Sequence, residues 1–113
     1  MGTSKSIEDC TATAAIFSGR PDPSWRLSKT VLEQLENIWK GLRPSAQAPP
    51  VAPALGYRGC SVHCGPRSVW NAFGGVVARG DEHRADPGRQ FERAVLNSSP
   101  KGMMPAEVLR LIE

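Results

Sequence analysis

The sequence has no long apolar run, no block of like charge and few aromatic side chains. No stretch approaches the ~18–20 consecutive apolar residues that cross a bilayer, so neither a transmembrane helix nor a membrane partner is expected. The opening residues, MGTSKSIEDC, lack the apolar core of a secretory leader. Arginine outnumbers lysine ten to four within a net charge of +3. The arginines are dispersed from Arg20 to Arg110, however, and form no basic run of the ~5–8 residues that mark a nucleic-acid patch. Nucleic acid is therefore not an expected partner. Cysteine is scarce: Cys10, Cys60 and Cys64. An odd count without a leader argues against a secreted disulfide framework and predicts free thiols in a reducing cytoplasm.

Several catalytic patterns are missing too. There is no phosphate loop of the G-x-x-x-x-G-K-[ST] type, no G-x-G-x-x-G, no EF-hand loop and no H-E-x-x-H. The cluster Asp81, Glu82, His83 and Asp86 is explained by a charged loop running into a helix cap.

What the chain does have is clear punctuation by 10 prolines and 11 glycines. Residues 1–9 are polar and are expected to be disordered. Thr11 to Phe17 alternate as a strand, with Ala12, Ala14 and Ile16 on one face and Thr11 and Thr13 on the other. A rigid turn through Pro21 and Pro23 follows, then a short extended piece at Trp25 to Leu27. Ser28 to Lys40 is the strongest helix. Val31, Leu32, Leu35, Ile38, Trp39 and Leu42 form one apolar stripe. Ser28, or Thr30 with Glu33, supplies its cap, and Gly41 its stop.

Residues 44–53 hold four prolines and read as an extended connector. Leu55 to Val62 and Ser68 to Ala78 read as two antiparallel strands joined at Gly65-Pro66. Gly56, Gly59, Gly74 and Gly75 within them suggest bulges. Asp86-Pro87 opens a short helix carrying Phe91, Ala94 and Val95, and Pro105 opens a last one. The expectation is a single α+β domain over residues 10–113, with a small antiparallel sheet of three to four strands. One long helix and two short C-terminal helices pack on it.

Three places offer chemistry. Cys60, His63 and Cys64 are soft ligands within five residues, and Cys10 or His83 could complete a zinc tetrahedron. The same residues allow a Cys60–Cys64 disulfide, or simply a small buried thiol beside a turn. Gly19 and Arg20 suit a small anion through backbone N–H groups and a guanidinium. Trp70 and Tyr57 are candidate interface anchors on sheet faces.

No catalytic motif emerges and no cofactor is required, zinc being the alternative. The expected function is non-enzymatic: protein binding or self-assembly, as a homodimer or with another protein. A metal- or thiol-dependent protein and a small enzyme with an arginine-lined anion site are the alternatives. The homodimer expectation rests on the sparsely charged hairpin, whose open edge would template pairing with another chain.

Overall fold

A two-residue turn at Gly74 and Gly75 decides the shape of the sheet. Both have positive φ, 63° and 92°, as the tight turn of a twisted hairpin requires. The stretch expected to be one long strand therefore folds back on itself as β5 (Arg67–Phe73) and β6 (Val76–Arg79). A second turn at Gly80-Asp81 leads into β7 (Glu82–Ala85), where a charged loop was expected.

The computed structural model describes residues 10–16, 21–46, 57–65 and 67–111. The other strands are β1 (Cys10–Ala14), β2 (Ser24–Arg26), β3 (Arg43–Pro44) and β4 (Cys60–Cys64). Among the described residues, seven strands make one sheet in the order β2-β1-β4-β5-β6-β7-β3, antiparallel at every pair. The α+β class holds, but a sheet of three to four strands does not. Of the glycines read as bulges, Gly74 and Gly75 form a turn, Gly59 stands just before β4 at φ 108°, and Gly56 lies outside the described residues. The start of the connector is not a free linker. Arg43 and Pro44 pair with Ala85 and Arg84 at the sheet edge. The expected disorder of residues 1–9 and the rest of the connector, 47–53, lie outside the described residues.

The hairpin edge that suggested pairing between chains does not exist. β1 covers β4, and β6 covers β5. Among the described residues, the two edges are strands of three and two residues, bearing Arg26, Arg43 and Pro44. Short edges with charge and proline resist pairing.

Helix α1 (Lys29–Gly41) is capped by Ser28, whose hydroxyl accepts from Val31 N at 3.1 Å. Leu35 and Trp39 are buried, and Val31, Leu32 and Ile38 pack against them, so the predicted stripe is the one used. Gly41 is the last helical residue rather than a left-handed stop; the chain leaves through extended Leu42. A 3-10 turn (Pro87–Arg89) leads into α2 (Gln90–Asn97), and α3 (Ala106–Leu111) closes the described chain. No helix among the described residues is long and apolar enough to cross a membrane.

Alternation along the strands sends Ala12, Val62, Trp70, Ala72 and Val77 into the core with Leu35, Trp39, Phe91, Val95 and Leu96 of the helices. Thr11, Thr13, Ser61, His63, Asn71 and Ala78 take the opposite parity, giving that face a polar character. Trp70 joins the layers: its ring centroid lies 6.4 Å from that of Trp39 and 5.3 Å, edge-on, from that of Phe91. Arg84 lies over Trp39 and donates to its carbonyl at 2.7 Å, tying the end of α1 to β7. At the other edge, Trp25 Nε1 donates to Ser98 Oγ just beyond α2, beside the start of α1. The two helices therefore cross the sheet in opposite directions.

Candidate functional site

The structure does not bring Cys60, His63 and Cys64 together. Cys60 and Cys64 are buried on the core face of β4, and His63 is exposed on the other. Cys64 lies opposite Cys10 in the β1–β4 ladder and is bonded to it as a disulfide. A bonded sulfur is not a thiolate ligand, so Cys64 is withdrawn from any zinc set. Among the described residues, no group of three or more His, Cys, Asp or Glu side chains is placed to hold a metal ion. The pairing also replaces both the Cys60–Cys64 bridge and the expectation of free thiols; Cys60 alone remains free. Gly19 and Arg20 lie outside the described residues. Trp70 and Tyr57 are 5% and 7% exposed, so both are core residues rather than surface anchors.

Tyr57 instead belongs to a polar cluster inside the core. Its hydroxyl donates to Glu92, a carboxylate with 0% exposure. Arg89 grips the same carboxylate with Nε on one oxygen and Nη2 on the other, each at 2.9 Å. Such a two-pronged pair is the strong form of the arginine–carboxylate contact. To make it, Arg89 adopts φ 56°, left-handed backbone in a non-glycine residue, directly after Gly88 at φ 71°. Asp86, 2% exposed, accepts from Phe91 N at 3.1 Å and Glu92 N at 3.3 Å, so it caps α2 across the 3-10 turn. Burial raises the Asp86 carboxyl, while the hydrogen bonds from Phe91 and Glu92 oppose the rise.

This cluster is poor in chemistry. Burial pushes the Tyr57 phenol well above its ordinary range, and neighbouring Cys60 and Glu92 add to the effect. Burial likewise raises the Cys60 thiol, and the Glu92 charge raises it further. A thiol held protonated is a weak nucleophile. The Glu92 charge is already balanced by Arg89, whose own pKa is raised chiefly by that hydrogen bond. The arrangement fixes α2 against the loop that enters β4.

A concavity lies elsewhere, among exposed side chains of the helical layer. A groove of about 910 Å³ runs between α1 and α2. Its walls carry four carboxamides, Gln34 and Asn37 from α1 and Gln90 and Asn97 from α2. One acid, Glu33, and one base, Arg93, stand among them, and Ile38 and Ala94 contribute apolar surface. Local sequence explains the lining. Gln34, Asn37 and Gly41 repeat at i, i+3 and i+7, as do Gln90, Arg93 and Asn97, so each set forms a stripe on one helix face. That spacing was the available signal. It became a groove only when the two helices were laid side by side.

No family model matches the sequence, and no curated protein or solved structure is detectably similar to it.

Proposed function

We propose that this chain is a non-enzymatic binding domain whose partner is another polypeptide, held in the groove between α1 and α2. The observation carrying the reading is the contrast between two polar regions. In the buried cluster, Tyr57 and Cys60 are held with Glu92, and Asp86 is committed to capping α2. The groove is open, about 910 Å³, and its lining includes four neutral carboxamides. Concave surfaces with a few placed polar groups are where ligands bind.

Photo-crosslinking in the host cell tests the proposal. A photoreactive residue at Asn37, in the groove, should give discrete adducts with one or a few proteins. The same group at Asn71, exposed on β5, should give none. Adducts with a second copy of the chain would identify self-assembly as the form the binding takes. Adducts from Asn71 alone, or from neither position, would reject the groove as a binding surface.

A further inference from the structure

We infer that the α1–α2 groove binds an extended peptide segment by pairing with its main chain. The inference rests on the binding reading above and narrows it to one class of ligand. A carboxamide presents a donor and an acceptor side by side. The edge of an extended peptide presents the same pair, N–H and C=O, at every residue. Gln34 and Asn37 on one wall and Gln90 and Asn97 on the other place such groups on both sides of a strand lying between the helices. The lined part of α1, Thr30 to Gly41, rises by about 16 Å at ~1.5 Å per residue. That length accommodates about five residues of extended chain at ~3.3 Å each.

Other ligands fit less well. A nucleic acid needs excess positive charge and surfaces for base stacking. Among the described residues, the groove instead holds one base, Arg93, and one acid, Glu33, and no aromatic side chain lines it. An amphipathic helix needs a continuous apolar trough. Here Ile38 and Ala94 are the main apolar contribution.

The experiment selects ligands from a displayed library of random linear peptides on the full chain. Each selected peptide is then remade with single N-methyl groups, which remove one main-chain N–H and keep every side chain. N-methylation at alternate residues should weaken binding by about tenfold each, roughly one hydrogen bond's worth. Asn37→Leu and Gln90→Leu should each cost a similar factor without changing the melting temperature. Gly41→Trp should abolish binding: a Cβ at Gly41 meets nothing within 4 Å, so the indole closes the groove mouth without disturbing the core. Peptides that tolerate N-methylation throughout, or bind the three variants normally, would overturn the inference. If no peptide is selected while Asn37 still cross-links a partner, main-chain recognition fails and the binding reading stands. If Asn37 cross-links nothing, the binding reading itself fails.

Discussion

The Tyr57 hydroxyl donates to the Glu92 carboxylate from 35 residues away in the chain, and both side chains are buried. This is the chain's single tyrosine, so its titration can be followed without interference. Its phenol is raised well above 10.0, mainly by burial. The folded chain therefore keeps a proton that the unfolded chain gives up, and stability contributed by Tyr57 is lost as pH rises past about 10. Phenolate absorbance should appear together with the loss of native circular dichroism. Phenolate forming at pH 10 in a fully native protein would show that the phenol is not sealed in.

Arg89 carries both backbone strain and a buried charge pair, and two substitutions separate them. Arg89→Ala leaves Glu92 buried without its partner, which should cost about 3 kcal/mol. It also keeps a Cβ at φ 56°. Arg89→Gly loses the same pair but removes the steric cost of the left-handed conformation. It should be the more stable variant by about 1 kcal/mol in urea denaturation. Equal midpoints for the two would mean that the conformation carries no strain.

The Cys10–Cys64 bridge spans 54 residues. Closing a loop of that size should stabilise the fold by about 4 kcal/mol through the entropy of the unfolded chain. Cys10→Ser should lower the urea midpoint accordingly. Thiol labelling gives a second check. The native chain should react slowly or not at all, because Cys60 is buried and its thiol is held protonated. Denatured, unreduced protein should expose one reactive thiol, and reduced protein three. Three thiols without reductant would contradict the disulfide.

Asp86 gives the fold a pH dependence at the acid end. Its carboxyl is raised from 3.8 by burial, so the folded chain holds the proton where the unfolded chain releases it. Stability from this group therefore falls as pH rises from about 3.8 through the raised value, then levels off. Asp86→Asn keeps a capping oxygen and removes the titration. The stability advantage of wild type over that variant should shrink as pH rises through this window. Asp86→Ala also loses the cap and should cost about 1–2 kcal/mol, the cost being largest at the acid end and shrinking through the same window. An advantage that grows with pH would reverse the assignment.

What the sequence determined by itself is what depends on near neighbours. The stripe from Val31 to Leu42 placed α1 and its buried face, because a 3.6-residue period acts within one helix. Asp86 was legible as a cap, although it serves α2 across an intervening 3-10 turn rather than directly. Alternation in Thr11 to Ala14 assigned the faces of β1. The strand count failed locally: two successive glycines of positive φ make a turn, and apolar residues on both sides hid it. The rest was decided only by the tertiary structure. Cys10 found Cys64, Tyr57 found Glu92, and the carboxamides of α1 met those of α2 because the sheet placed distant segments in register. Patterns along a chain report which face is apolar. They carry no record of which strand lies beside which, so pairings across many residues emerge only when the whole core packs at once.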